Sequence, residues 1–261
     1  MITWAGTCSD DLGVIVEHYP KVQIPRRKIE VVQIPGRNGD VIIEQDAFEN
    51  YEMQYEVFLD AKCKGGLEEV IPKLSDWLLG NTGYQRLEDS YFPGFYRMAY
   101  VIGGYEFVSF FNEYGEGTLT FNCAPEKYYK IGSDEITLTN GQILTNPSNF
   151  TAKPIIKFDL DTIYGSGHIS VSPTSGSGGG AITFGALSDD DLIPIYTQNY
   201  TCIIDTATHQ AIGKTEPETS YSSANGRITG AFEGLHLGKE MQIIWDGDIK
   251  NVRMVPRWWT I

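Results

Sequence analysis

The sequence predicts a mainly β protein of two domains, an α+β first domain and a second domain made of strands alone. Residues 51–59 alternate apolar and polar side chains, which is the period-2 pattern of a half-buried strand. Residues 66–80 place apolar side chains at helical spacing, which predicts one helix. Beyond about residue 133 the chain is rich in Gly, Ser and Thr with short apolar runs, and this favours an antiparallel sandwich or barrel.

The composition limits the classes of function. The chain has 261 residues, enough for one large or two ordinary domains, and no apolar run approaches the roughly 20 residues needed to cross a bilayer. Its formal net charge of -14 argues against a protein that grips nucleic acid phosphates through Lys and Arg. The four cysteines lack metal-ligand spacing and are predicted to be free thiols in a reducing compartment.

Two extended runs near the N-terminus, residues 28–34 and 40–44, are predicted to be strands joined by a turn over residues 35–39. An Asn-Gly pair in this turn favours positive φ and a tight hairpin. The only compact basic cluster of the chain, residues 26–28, precedes the first run. It is either an exposed strand edge that charge protects from aggregation, or a contact with an acidic neighbouring subunit.

The predicted helix near residues 66–80 has suitable ends. Glu68 and Glu69 suit its positive N-terminus, and Gly80 suits its C-terminal stop. Pro72 is a difficulty, because proline in a helix interior removes a hydrogen bond. The helix therefore either begins near Pro72 or kinks there.

Residues 121–128 are predicted to close the first domain. They end a strand-like run, and Pro125 is expected to stop that run because proline has no N–H to give to a sheet ladder. Since the composition changes beyond this stretch, we expect a first domain over residues 1–132 and a second domain over residues 133–261.

Two loops of the second domain resemble ligand sites only superficially. Residues 165–180 are rich in Gly and Ser, but they lack the GK[ST] motif and following helix of a phosphate loop, so a flexible hairpin tip is predicted. The acidic run at residues 188–191 lacks the spaced oxygen ligands and the Gly of an EF-hand loop, so a solvated loop is predicted.

The sequence carries no recognisable catalytic motif. Its four histidines lie in no known constellation, and GxSxG, HExxH, dinucleotide and ATP signatures are all missing. We therefore predict a protein that is not an enzyme and that has no metal and no cofactor. A glycosidase needs only two carboxylates, and the 34 acidic residues leave that alternative open.

Short motifs follow one another along nearly the whole sequence. In the first half they are residues 34–39 (IPGRNG), the helix end at 77–78 (WL), 121–125 (FNCAP) and 128–129 (YY). In the second half they are residues 146–147 (NP), 203–205 (IID), 235–239 (LHLGK) and 255–259 (VPRWW). In the order and spacing of these motifs the sequence resembles the distal tail proteins of long-tailed bacteriophages with non-contractile tails. Asn38 departs from the Asp of many relatives, but both residues suit the turn.

The resemblance implies a structural virion protein. Its N-terminal domain would hold a split-barrel-like sheet with one helix, and its C-terminal domain would be an antiparallel β-sandwich, galectin-like or carbohydrate-module-like. A homo-hexameric ring would join the tail-tube protein to the tail-tip protein, which is a tail-associated lysin or a tape-measure-linked hub. The ring would serve as the hub of host adsorption, with a receptor-binding protein as a further partner. DNA would pass through its channel without specific binding. The protein would lie in the virion tail, away from any membrane, after assembly in the bacterial host cytoplasm.

The predicted contacts between subunits fall on the basic cluster and the turn that follows it. They are Arg26, Arg27, Lys28, Arg37 and Asn38.

A carbohydrate-binding module is the alternative function. The C-terminal sandwich would then contact host cell-surface saccharide through exposed aromatic side chains, with Trp245, Trp258 and Trp259 as candidates. A galectin-like shape alone does not establish such binding, because function depends on sites and not on folds.

Overall fold

The computed structural model describes residues 1–175, 178–186 and 199–261. Within these ranges the chain forms two compact units, Met1–Lys127 with Ile261, and Tyr128–Thr260. The mainly β prediction is confirmed, and the described residues contain a single α-helix. The acidic run at residues 188–191 lies outside the described residues, as do residues 176–177 of the predicted hairpin tip.

The first unit is an antiparallel β-structure with one helix. Its helix α1 spans Leu67–Leu79 and a 3-10 turn spans Ser9–Leu12. Its strands are β1 Ile2–Trp4, β2 Thr7–Cys8, β3 Val14–Val16, β4 Arg27–Val32, β5 Val41–Phe48, β6 Tyr51–Asp60, β7 Gln85–Asp89, β8 Phe95–Tyr100, β9 Phe107–Phe110 and β10 Tyr114–Tyr129. The main sheet has the strand order β2-β1-β7-β8-β10-β6-β3, with β9 also paired to β10, and β4 and β5 form a separate two-stranded sheet.

Helix α1 packs on the main sheet through one apolar face, as its spacing predicts. Leu67, Val70, Leu74, Trp77 and Leu78 are its buried side chains, and they share one core with the inward side chains of β6 and β10. The Trp77 indole N–H donates to the Trp4 carbonyl at 3.1 Å, which ties the helix to β1. Pro72 lies inside the helix and not at its start.

A buried ion pair lies within the same unit. Arg97 on β8 donates to the Asp89 carboxylate at 3.0 Å, and both side chains are almost fully buried. The hydroxyl of Tyr55 donates to the same carboxylate at 3.0 Å, while Arg97 Nε donates to the Tyr51 hydroxyl at 3.0 Å. Burial raises the pKa of Tyr51 to about 12, so this hydroxyl keeps its proton at neutral pH. Every charge in the group has hydrogen-bonding partners, as a buried charge requires.

Strand β10 corrects the prediction that Pro125 ends the run. The strand continues through Pro125 to Tyr129. Its pairing with β6 covers only Tyr114 to Cys123, so the missing N–H of Pro125 removes no hydrogen bond from the ladder between β10 and β6.

The second unit is an antiparallel β-sandwich. One sheet has six strands in the order β11-β21-β13-β16-β17-β18 and the other has five in the order β12-β20-β14-β15-β19. A single buried core, which includes Phe158, Phe184 and Ile243, fills the space between the sheets. Their strands are β11 Ile136–Thr137, β12 Ile143–Thr145, β13 Ile155–Leu160, β14 Gly167–Pro173, β15 Gly180–Phe184, β16 Tyr200–Asp205, β17 Gln210–Thr215, β18 Ser222–Ser223, β19 Ile228–Gly230, β20 Glu240–Gly247 and β21 Lys250–Val255. The last strand, β22 Trp259–Thr260, belongs to neither sheet.

The predicted flexible tip at residues 165–180 is in large part wrong. Strand β14 occupies Gly167–Pro173 and pairs with both β15 and β20. Ile169 and Val171 are its fully buried side chains. Two apolar residues at alternate positions are enough to fix one face of a strand, even where Gly and Ser fill the other positions.

No helix among the described residues is long and apolar enough to span a membrane.

Candidate functional site

The candidate site is a β-hairpin that stands apart from the main sheet. Strands β4 and β5 pair in antiparallel fashion from Val32 opposite Val41 to Arg27 opposite Phe48. Within the described residues neither strand pairs with any further strand. We call β4, β5 and the connecting residues 33–40 the arm.

The tip of the arm is a turn, as predicted. The Arg37 N–H donates to the Ile34 carbonyl at 3.1 Å, and Gly36 and Gly39 have φ values of +81° and +82°. Only glycine adopts this region without strain. The strand ends differ from those predicted: β4 already stops at Val32, and β5 continues to Phe48.

One face of the arm carries an aliphatic row that is open to solvent. Ile29, Val31 and Ile42 are 45%, 50% and 60% exposed. The register places Val31 directly opposite Ile42, so with Ile29, two residues along β4, they form one row. Full burial of one such side chain contributes roughly 1.5 to 3 kcal/mol. A partner that covers the row would therefore gain substantial free energy.

The predicted contact residues lie at opposite ends of the arm. Arg26, Arg27 and Lys28 lie at its base, where Arg27 stacks over the Phe48 ring at 5.2 Å and the Arg26 carbonyl accepts the Glu49 N–H at 2.8 Å. Arg37 and Asn38 lie in the tip turn. The structure therefore joins the first three into one cluster and separates them from the other two.

Sequence reasoning missed the aliphatic row. The alternation of Ile29 and Val31 was visible, but alternation normally marks a half-buried strand. The arm differs because the side chains of this row stay about half exposed among the described residues. What covers a strand face depends on the fold and not on local sequence.

The three candidate tryptophans do not form an exposed platform. Trp245 on β20, Trp258 and Trp259 are half-buried and pack against the sandwich core. The Trp259 ring stacks on Phe150 at 4.6 Å between centroids, and its N–H donates to the Thr151 carbonyl at 3.0 Å. Saccharide binding through these rings stays a prediction.

The cysteines and the acidic side chains suggest no metal or thiol chemistry in the described residues. In the part of the chain that the structure describes, no three His, Cys, Asp or Glu side chains are grouped so as to hold a metal ion. All four cysteines are free thiols. Burial raises the pKa of Cys123 and of Cys202 to about 12, which keeps both thiols protonated and unreactive.

Comparisons with known proteins gave matches by fold alone. No protein-family model matches the chain, and no curated protein is detectably similar in sequence. The Dit protein of phage SPP1, described as a paradigm of the hub adsorption apparatus in phages that infect Gram-positive bacteria, is similar in structure. The likeness has a TM-score of 0.63 at 14% identity and covers 97% of this chain and 96% of that chain.

Two structures of the activated phage p2 baseplate, one with Ca and one with Sr, match over 93% of this chain and 89% of theirs. Their identities are 9% and 10% and their TM-scores 0.49 and 0.45. The chain therefore has the fold of the SPP1 Dit protein, and its resemblance to the distal tail proteins is confirmed at the level of the fold.

Proposed function

We propose that this protein is a structural subunit of a phage tail and forms a hexameric ring at the distal end of that tail. The observation that carries the proposal is the likeness in fold to the SPP1 Dit protein over 97% of the chain. A fold alone does not define function. The arm adds independent support, because within the described residues its two strands pair with no further strand and it exposes an aliphatic row.

The proposed ring joins the tail-tube protein to the tail-tip protein and acts as the hub of the adsorption apparatus. Its partners are five further copies of the chain, the tail-tube protein, the tail-tip protein and a receptor-binding protein. The subunits assemble in the host cytoplasm and end in the virion tail. The role is architectural, so no turnover of substrate is expected.

The arm supports a contact between copies. An isolated two-stranded hairpin is at best marginally stable in water, and this one exposes an aliphatic row. Arg26, Lys28 and Arg37 are exposed, and none of them has an ion pair to an acidic side chain among the described residues. A neighbouring copy of an acidic chain can supply both the apolar cover and the carboxylates.

The acidic balance suits the proposed channel. The formal net charge is -14, and like charge on a channel wall keeps DNA phosphates from binding it. DNA would then pass without specific contact.

The mass of the purified protein in solution tests the ring. Light scattering after size exclusion, across a concentration series, is expected to show a species near six times the 29.1 kDa chain mass. The same measurement is repeated with the tail-tip protein added. A strict monomer at every concentration, with and without that partner, would overturn the proposal.

A second candidate function is favoured by a polar groove of 460 Å³ in the second unit. The Asp159 carboxylate accepts hydrogen bonds from Arg253 at 2.8 Å, from Thr201 at 3.0 Å and from Asn251 at 3.2 Å. These bonds hold the polar side chains of the groove in place. Three acidic and three basic side chains line the groove beside Tyr221: Asp159, Asp161, Glu216, Lys214, Lys250 and Arg253. Balanced charge and one aromatic ring suit a neutral saccharide better than an anionic one.

A glycan array separates this candidate from the ring. The full chain and an Asp159→Ala variant are applied to neutral and anionic oligosaccharides. Binding of neutral glycans that the variant loses would support the saccharide function. Absence of binding by the full chain, or equal binding by both proteins, would exclude this groove.

A further inference from the structure

We propose that Asn38 is a site of spontaneous covalent modification, at which deamidation through the neighbouring Gly39 converts the side-chain amide into a carboxylate. The sequence contains three Asn-Gly pairs, at residues 38–39, 140–141 and 225–226. Each pair has the chemistry for this reaction, because glycine has no side chain to hinder attack by its backbone nitrogen. The structure sets the first pair apart from the other two. The inference does not rest on the proposed ring.

The reaction is a cyclisation followed by hydrolysis. The backbone nitrogen of Gly39 loses its proton to a base in solution and forms a bond to Cγ of Asn38. The bond from Cγ to the amide nitrogen breaks, and that nitrogen takes up a proton and leaves as ammonia. Water then opens the succinimide ring at either of its carbonyl groups, which gives aspartate or isoaspartate. In sum an amide and a water molecule become a carboxylate and an ammonium ion, with no oxidation or reduction.

Both reacting groups of the first pair are free. Asn38 and Gly39 are exposed, and the Asn38 amide has no hydrogen bond to any described residue. The hydrogen bond that closes the tip turn is donated by Arg37 to Ile34, and the Gly39 N–H has no acceptor among the described residues. Beyond its chain neighbours, no atom lies within 4 Å of the position that a Cβ on Gly39 would take. Nothing described therefore obstructs cyclisation here.

The second pair is held at both reacting groups. The Asn140 amide donates to the Trp245 carbonyl at 2.7 Å and accepts the Trp245 N–H at 3.1 Å. The Gly141 N–H donates to the Ile243 carbonyl at 2.8 Å. Cyclisation at Asn140 must therefore break the hydrogen bonds of both groups first, which requires a local opening of the chain.

The third pair is intermediate. The side-chain oxygen of Asn225 accepts the Ala211 N–H, and Asn225–Arg227 form a 3-10 turn that fixes the backbone around Gly226. The side chain is thus held at its oxygen, while its amide nitrogen donates no hydrogen bond to a described residue. We therefore rank the three sites Asn38, Asn225 and Asn140 in order of decreasing rate.

The modification changes both the charge and the backbone of the arm tip. Arg37 and Asp40 flank the pair with one charge of each sign, so a new carboxylate leaves the tip with a net negative charge. Aspartate keeps the turn, because Asn and Asp both suit it. Isoaspartate routes the main chain through Cβ and Cγ and lengthens it by one carbon atom, which alters the turn between β4 and β5.

Peptide mapping by mass spectrometry tests the proposal on the full chain. The protein is incubated at mildly alkaline pH, and samples taken over several days are digested. The fraction of each Asn-Gly peptide that shows the mass increase of deamidation is then followed, and labelling by an isoaspartate methyltransferase identifies the isoaspartate product. The Asn38 peptide is expected to react at least about tenfold faster than the Asn140 peptide, equivalent to roughly 1.4 kcal/mol of protection. The Asn225 peptide should fall between them.

Two controls separate the effect of the structure from that of local sequence. The same incubation in guanidinium chloride removes the fold, and there the three peptides are expected to react at similar rates. An Asn38→Ser variant, checked for folding by circular dichroism, should lose the main acidic species that ion-exchange chromatography detects in aged wild type.

Equal rates for the Asn38 and Asn140 peptides in the folded protein would overturn the proposal. So would an Asn38 peptide that stays unmodified in a sample whose denatured control reacts. A preference for Asn38 that persists in guanidinium chloride would overturn it as well, because the preference would then come from local sequence and not from the free arm tip.

Discussion

The Asp89 carboxylate links three parts of the first unit. It accepts hydrogen bonds from Arg97 and Tyr55 inside the core, and its second oxygen accepts the N–H groups of Tyr91 and Phe92 in the following turn. Removal of one member of a buried ion pair leaves the other charge without compensation, which typically costs about 3 to 5 kcal/mol.

We therefore expect Asp89→Ala to lower the free energy of unfolding by about 3 to 5 kcal/mol, measured by urea denaturation. The control is Glu69→Ala, which removes an exposed ion pair with Lys73 and should cost about 0.5 kcal/mol or less. Equal midpoints for the two variants would show that the buried pair does not stabilise the fold.

A second carboxylate gives a prediction about pH. Arg257 binds Asp205 through two hydrogen bonds of 2.7 and 3.0 Å. Burial alone would raise the pKa of Asp205, but the bonds from Arg257 and from the Ala207 N–H outweigh it and lower the pKa below its ordinary value of 3.8. A lowered pKa in the folded state means that stability is complete above 3.8 and is lost as pH falls through the folded-state pKa.

The stability of the Asp205→Asn variant should therefore fall less than that of the wild type as the pH is lowered. Thermal unfolding of wild type and variant is compared between neutral pH and about pH 3. The difference between them should shrink as the pH falls below 3.8. A difference that stays constant over this range would show that the charge of Asp205 contributes nothing to folding.

At the scale of single elements, helix α1 contains a destabilising residue, Pro72. Pro72 lies inside the helix, and its side chain is exposed. Proline at such a position removes one hydrogen bond and costs about 3 kcal/mol relative to alanine. Replacing it also raises the conformational entropy of the unfolded chain, which lowers stability by up to about 1 kcal/mol. Pro72→Ala should thus stabilise the protein by about 1 to 2 kcal/mol.

The measurement is the urea midpoint, and the neighbouring exposed substitution Lys73→Ala serves as control because Lys and Ala differ little in helix propensity. A destabilised Pro72→Ala variant would mean that the proline shapes a bend on which the packing of α1 depends.

The elements also show how far local sequence determines structure. Helix α1 and strand β6 were predictable because each depends on its own periodicity, 3.6 or 2 residues, and each buries one face in its own unit. The course of β10 through Pro125 was not predictable, because it depends on which strands pair with β10, namely β6, β8, β9 and β22. The exposed face of the arm was not predictable either, because the sequence shows that a face is apolar but not what covers it.

At the scale of the whole molecule, sequence and structure inform different parts of the function. The motif order indicated the fold, and the fold is shared with the SPP1 Dit protein at only 14% identity. The basic cluster of residues 26–28 was visible as the exception in an acidic chain. The structure was needed to show that this cluster lies at the base of an arm with an exposed aliphatic row. The sequence alone does not show that the row and the cluster lie on the same exposed hairpin.

The proposed ring should therefore depend on salt in a defined way. Contacts between the basic cluster and acidic side chains of a neighbour lie at the rim, where the screening length falls from about 10 Å at 0.1 M salt to about 3 Å at 1 M. Burial of the aliphatic row is not screened.

We expect salt to slow association and to weaken the hexamer without abolishing it. Analytical ultracentrifugation at low and high salt measures the dissociation constant, and unfolding of the monomer at both salts controls for changes in stability. A ring that tightens with salt would contradict this expectation, because it would mean that screening of the repulsion between copies of net charge -14 outweighs any attraction at the basic cluster.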